Sequence, residues 1–294
     1  MGPRGGGGRI DSASMSAEPA AGGITVSEPA LITEKRGHVV TLTMNRPEAK
    51  NAINPEMLCR LADAWDAIDG DDEVRVAILT GSSGAFCAGA DLDKLVSRSL
   101  KNLPPEDDWE QRIRDDFQVI FKGLLRNYRL AKPLIAAIEG SCIAGGVELL
   151  NSCDIRVAGE GAKLGISEVR WSLFPQGGST TRMPRQMPFT MAMEMLLTGD
   201  HYSAREALDM GLIGRVVADG QALAKAREIA DKIASNGPVA VRKIKQAVYE
   251  AECVSDQEAR EIEMRLGMEV FSTEDAKEGP RAFKEKRKPV YKGR

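Results

Sequence analysis

The stretch "KPLIAAIEGSCIAGGVELLNSCDIRVAG", residues 132–159, decides the fold class. "LIAAI" (134–138) is short and wholly apolar, as a buried strand is. "IAGGVELL" (143–150) opens on Gly145 and Gly146 and continues as a buried helix, carrying one carboxylate, Glu148. "DIRVAG" (154–159) is strand-like again, and "AKLGISE" (162–168) adds a second short strand-like piece. Strands and helices follow one another this closely in α/β folds built of repeated units, although no sequence repeat is visible.

Upstream, the same alternation holds. "LITEKR" (31–36) and "VVTLTM" (39–44) flank Gly37-His38 as two strands. Asn54 before Pro55 caps a helix that runs to about Asp69, with Leu58, Leu61, Trp65 and Ile68 at helical spacing. "VRVAILT" (74–80) is another buried strand, and "GSSGAFCAGADL" (81–92) is a glycine-punctuated loop that leads into a helix. Residues 97–112, polar and Pro-containing, are expected to be a mobile surface insertion, followed by a helix over roughly 114–128.

From residue 186 helix follows helix. "SAREALDMG" has Ser203 as cap, Glu206 three residues on and Gly211 as stop, and further helices are expected over 221–235, 238–251, 255–267 and 273–287. The expected organisation is an N-terminal tail over 1–23, a spiral α/β core over 24–200 and a helical region over 201–294. The tail is Gly, Ala and Ser with scattered charges, a composition that stays disordered. It has neither the apolar segment of a secretory signal nor the Arg-rich amphipathic character of a transit peptide.

Composition narrows the function. The chain has 294 residues, 43% hydrophobic and 28% charged, with a net charge of −3. No global basic field argues for nucleic acid or an anionic membrane, and no apolar run approaches membrane-spanning length. Five cysteines (Cys59, Cys87, Cys142, Cys153, Cys253), odd in number and without CxxC spacing, fit the reduced thiols of a cytoplasmic protein. His38 and His201 alone offer little for a metal site or a histidine relay, so no metal is expected.

Two glycine turns, "CAGADL" (87–92) and "IAGG" (143–146), each follow an apolar strand. Glycine lets backbone approach a ligand closely, and the first amides of a helix have no internal partner. Two such amides make an oxyanion hole, worth about 3 kcal/mol per donor. Either loop alone is equally explained as a plain turn. Glu148 sits in the first turn of an apolar helix, where a charge is costly unless paired or used; a favourable helix dipole is the alternative. Glu168 follows twenty residues on, again at the end of an apolar piece, and most such loop glutamates are simply exposed. Two carboxylates beside an oxyanion hole can activate water and deliver a proton.

In these motifs the chain resembles the crotonase superfamily and, within it, the enoyl-CoA hydratases, over roughly residues 31–290. The markers are "NRPEAKNAI", "FCAGADL", "IAGGVELLNSCDI", "GISEVR", "MPRQM", "LTGDHYSAREALDMGLIGRVV" and "AFKEKRKP", in that order. The resemblance implies a spiral of repeated ββα units with a helical C-terminal trimerisation region, assembling as a homotrimer or a dimer of trimers. It implies an acyl-CoA thioester substrate, with no cofactor beyond the coenzyme A of that substrate. By motif position, the amides of Ala90 and Gly145 would hold the thioester oxygen. Glu148 would deprotonate water for attack at Cβ, and Glu168 would help hold that water and protonate Cα. Ala88, Asp91 and Leu92 would line the adenine and pantetheine path. Phe283 and Lys286 would touch the CoA nucleotide, although "KEKRK" by itself reads as a solvated helix end.

The segment "WSLFPQGGSTTR" (171–182) departs from the short-chain pattern at Ser172, Gln176 and Ser179. Trp171 and Phe174 are expected near the acyl end, or else in the core, and a similar pattern occurs in hydratases of lipid or steroid side-chain breakdown. Acyl length and shape therefore stay open. The expected reaction is reversible, syn-type hydration of a trans-2-enoyl-CoA to a 3-hydroxyacyl-CoA. Isomerisation, thioester hydrolysis or decarboxylation is the alternative within the superfamily, and a non-catalytic acyl-CoA- or RNA-binding relative is the alternative outside catalysis. Both glutamates favour hydration, and the net negative charge disfavours RNA.

Overall fold

The computed structural model describes residues 28–294; the tail expected over 1–23 lies outside the described residues. The strands are β1 (Leu31–Arg36), β2 (Val39–Met44), β3 (Val76–Gly81), β4 (Leu134–Ile138), β5 (Ser141–Ile143), β6 (Ile155–Gly159), β7 (Lys163–Gly165), β8 (Tyr202–Ser203) and β9 (Arg215–Val217). They form a six-stranded sheet in the order β1-β2-β3-β4-β6-β9 and a three-stranded sheet in the order β5-β7-β8. In the large sheet only the β1–β2 pair is antiparallel.

The apolar runs are continuous because both faces of the large sheet are covered. On one face Val76, Ile78, Ile135, Ala137 and Val157 pack against Ala222, Ala226 and Ala230 of the helix Ala222–Ala234. Alanine at every fourth position gives that helix a flat stripe that lies close on the sheet. The alternate residues, among them Leu79, Ala136, Ile138 and Ala158, face the main core with Leu58, Leu61 and Trp65 of the helix Pro55–Gly70. Asn54 caps that helix through Met57 N–H at 2.9 Å. Strand β9 and the helix Ala222–Ala234 lie beyond residue 200, so the α/β layers run past the boundary expected there.

The repeated unit is visible in space. Each of β2, β3, β4 and β6 is followed by a short piece in a second layer and then by a helical turn. After β4 the second-layer piece is β5, leading into the helix Gly145–Leu150; after β6 it is β7, leading into a 3-10 turn, Glu168–Trp171. After β2 and β3 isolated parallel bridges serve instead, Ile53 to Ala90 and Cys87 to Cys142. With the parallel β5–β7 pair, these contacts lay successive units side by side and bring their helix starts to one edge.

The segment after β3 differs from expectation. Residues 92–97 form a π-helical turn running into a short helix, Arg98–Leu100, and Asp108–Asp115 is helical. The helix expected over 114–128 is confined to Gln118–Gly123. Asp116 is extended (φ −136°, ψ 93°) and breaks the helix there, and its carboxylate accepts from Gln118 N–H at 2.9 Å in a turn that leads into the next helix. The C-terminal helices are Pro238–Glu250, Asp256–Phe271 and Glu274–Lys284. Among the described residues no helix is long and apolar enough to cross a membrane.

Candidate active site

A cavity of about 410 Å³ lies at the shared edge of these units. Ala90, Gly145, Glu148 and Glu168 all line it, one from each of two glycine turns, one from the buried helix and one from the 3-10 turn. The amides of Ala90 and Gly145 donate to no backbone carbonyl among the described residues. Their backbones meet closely, since a Cβ built on Gly145 would lie 3.5 Å from Ala90 N. The residue between the strand and the helix, Ala144, has φ 51° and ψ −119°. That is a strained conformation for a residue with a Cβ, and it turns the chain into the helix at the point where the Gly145 amide is presented. Nothing in the residue type of Ala144 signals it.

Glu148 is 5% exposed. Its Oε1 accepts from the amide of Gly177 at 2.5 Å. Gly177 has to be glycine, because a Cβ there would lie 2.5 Å from Glu148 Oε2. Burial pushes the Glu148 carboxyl from 4.5 up to about 7, the nearby Glu168 adds to the rise, and the amides of Gly177 and Ser179 and the Arg182 cation oppose it. Burial also raises the Glu168 carboxyl, against its own backbone amide. Glu168 Oε2 is buried and has no hydrogen-bond partner among the described residues. An unpartnered buried carboxylate oxygen is costly, unless it carries a proton or receives one from a ligand or water. The pair therefore holds one proton readily and loses the second with difficulty.

The other expected residues divide. Ala88, Leu92, Trp171 and Phe174 line the cavity. Asp91 does not. Its carboxylate accepts from the amides of Asp93 at 3.2 Å and Lys94 at 2.9 Å, and pairs with Arg46 Nη1 at 3.0 Å. It anchors the loop behind Ala90. Phe283, 87% exposed, and Lys286 lie at the end of the last helix and do not line the cavity. Leu95, Phe117, Phe121 and Leu124 also line the cavity and give it an apolar wall. These residues were not legible in the sequence, because apolar side chains at helical spacing carry the same pattern whether they face a core or a cavity. Among the described residues no cluster of three or more His, Cys, Asp or Glu is placed to hold a metal.

Comparison with known proteins gives a consistent result. The family model described as enoyl-CoA hydratase/isomerase matches residues 34–294. The chain is 50% identical over 268 residues to the enoyl-CoA hydratase EchA19 of Mycobacterium tuberculosis, covering 91% of this chain and 98% of that protein. It is 36% identical over 260 residues to the short-chain-enoyl-CoA hydratase of Clostridium acetobutylicum, covering 88% of this chain and 95% of that protein. The crystal structure of an enoyl-CoA hydratase from Mycobacterium tuberculosis superimposes with a TM-score of 0.80 at 37% identity, over 91% of this chain and 100% of that one.

Proposed function

The chain belongs to the enoyl-CoA hydratase/isomerase family of the crotonase superfamily, and from that premise we propose how its residues carry out the reaction. It is a hydro-lyase that adds water reversibly across the 2,3 double bond of an enoyl-CoA in acyl-CoA degradation. The thioester oxygen sits between the amides of Ala90 and Gly145. Glu148, ionised, takes a proton from water. The water oxygen bonds to Cβ, and the π electrons move through Cα to the thioester oxygen as an enolate, which the two amides stabilise. The enolate collapses and Cα takes its proton from Glu168. Reversal runs the same path through a protonated Glu148 and an ionised Glu168, and exchange of one proton between the pair resets the site.

The observation that carries this reading is the convergence of two unpartnered amides, the buried Glu148 carboxylate and the half-buried Glu168 carboxylate on one cavity. The chemistry needs no cofactor beyond the coenzyme A of the substrate. Hydration is favoured over isomerisation because both carboxylates are present. The apolar wall Leu95, Phe117, Phe121 and Leu124 suits a hydrocarbon acyl chain. Phe283 and Lys286 would meet the CoA nucleotide of a neighbouring subunit in a trimer or dimer of trimers. The exposed Ile244, Val248, Met264, Met268 and Phe271 of the C-terminal helices supply apolar surface for that contact. The free cysteines fit a cytoplasmic location.

The test follows loss of the conjugated thioester absorbance of crotonyl-CoA and longer enoyl-CoAs. Glu148→Ala and Glu168→Ala should each lower kcat at least about 100-fold. Gly145→Pro removes one donor amide and should abolish turnover. Wild-type rates in the double glutamate variant would refute the assigned roles.

A further inference from the structure

Arg182 lies on the helix Ser179–Gln186, outside the cavity, and takes no part in the chemistry above. We propose that Arg182 is a positioning residue for the hydration: its guanidinium binds the Gly177 turn, the end of the Glu148 helix and the Leu125–Arg126 turn into one wall, and so holds the Glu148 carboxylate against the reacting water. The inference rests on Glu148 being the base.

Four contacts carry it. Nη1 donates to Ser152 Oγ at 2.7 Å and to the Gly177 carbonyl at 3.4 Å. Nη2 donates to the carbonyls of Leu125 at 2.5 Å and Arg126 at 3.1 Å. Ser152 Oγ in turn donates to the Glu148 carbonyl at 3.5 Å, which ties the guanidinium to the catalytic helix. Gly177 is engaged at both ends, its carbonyl by Arg182 and its amide by Glu148 Oε1. Leu125 stands at φ 54°, a left-handed conformation that a leucine adopts only when its surroundings hold it. The next residue, Arg126, places its guanidinium 4.2 Å from the ring centre of Phe121, which lines the acyl wall.

Arg182 forms no ion pair among the described residues. Its planar fork is spent on neutral acceptors from three separate segments, which a lysine ammonium, a single point, cannot span. Its unshared positive charge is one of the influences that keep Glu148 from rising further; Glu168 is the opposing charge, and the Gly177 and Ser179 amides act with Arg182.

The experiment compares crotonyl-CoA hydration by Arg182→Gln, Arg182→Lys and Arg185→Gln, the last an exposed position on the same helix. Arg182→Gln should lower kcat by about 100-fold, the scale of a misplaced catalytic group, with KM changed by about twofold or less. Its acidic limb should move to higher pH. Arg182→Lys should return the limb toward that of the wild type and recover only part of kcat. Arg185→Gln should match the wild type. Wild-type kcat in Arg182→Gln, or equal losses in kcat and substrate binding with an unmoved limb, would overturn the proposal. Should Arg182→Gln fail to fold, full turnover in Arg182→Lys overturns it equally. Glu148→Gln, run alongside, separates the two ideas: an active Glu148→Gln removes the base assignment, whereas an inactive one beside an unaffected Arg182→Gln removes only the clamp.

Discussion

Glu148→Gln should make the protein more stable at alkaline pH while removing its activity. The side chain is 5% exposed. Its carboxyl is raised from 4.5 to about 7, first by burial and second by Glu168. Below pH 4.5 the group is protonated in both folded and unfolded chains, so it contributes no pH dependence. Between 4.5 and 7 the unfolded chain ionises and the folded one does not, so wild-type stability falls as pH rises. Above about 7 both are ionised and the loss levels off. A rise of about 2.5 units at ~1.36 kcal/mol per unit gives a penalty of about 3 kcal/mol. Glutamine never ionises, and its Oε1 can still accept from Gly177 N–H. Urea midpoints or thermal midpoints of the two proteins, measured at pH 5 and pH 8.5 and at one protein concentration, give the comparison. At pH 5, where the unfolded carboxyl is already largely ionised, the variant should be ahead by under about 1 kcal/mol. At pH 8.5 the variant should be ahead by about 3 kcal/mol, on the order of 5–10 °C for a chain of this size. A gap that is the same at both pH values, or that favours the wild type at pH 8.5, would mean that the buried carboxylate is not under the strain argued for it.

Three further outcomes are expected. The acidic limb of kcat/KM should lie near 7, where Glu148 ionises, and Glu168→Gln should move that limb to lower pH in whatever activity remains, because it removes a neighbouring charge that helps raise Glu148; an unmoved limb would show that the two carboxyls do not interact. Gly177→Ala puts a Cβ 2.5 Å from Glu148 Oε2 and must displace it, so kcat should fall at least about 10-fold with KM little changed, and a wild-type kcat would show the Gly177 contact to be idle. Ala144→Gly releases a strain of about 1–3 kcal/mol against a chain-entropy loss of about 0.4–1 kcal/mol, so the thermal midpoint should rise; a fall would show that φ 51° costs this alanine little.

The large-sheet strands β2, β3, β4 and β6 were legible because each is a short β-branched or apolar run, β1 because it leads through Gly37-His38 into β2, and the helix Pro55–Gly70 because Asn54-Pro55 announces its start. Glu148, Glu168 and the two glycine turns were legible as oddities, charges and flexible backbone where apolar helix would do. The short pieces β5, β8 and β9 were not. Three residues or fewer are held by their neighbours and carry no periodicity of their own. The apolar wall of the cavity, the strain at Ala144 and the reach of Arg182 were hidden for a related reason. Each depends on segments tens of residues apart, such as Arg182 meeting Leu125, and local sequence encodes neither partner in the other.

The repeated architecture explains why the two glycines at the head of the Glu148 helix are both needed, for different reasons. A Cβ on Gly146 would lie 2.8 Å from the Cys87 carbonyl oxygen, backbone that cannot yield, so Gly146 lets the third unit dock on the second. A Cβ on Gly145 would meet the flexible Ile53 Cδ1 at 3.2 Å and stand 3.5 Å from Ala90 N, so Gly145 leaves open the space proposed for the thioester oxygen. Docking and chemistry are thereby linked. The bridge Cys87 to Cys142 sets the register between the units that supply the two amides, and the β5–β7 pair sets it between the units that supply the two carboxylates. A slip of one residue along either contact would move a catalytic group by about 3.3 Å, more than a hydrogen bond tolerates. On the proposed assignment the sheet register is itself part of the catalytic geometry, with the plain-turn explanation falling to Gly146 and the oxyanion explanation to Gly145.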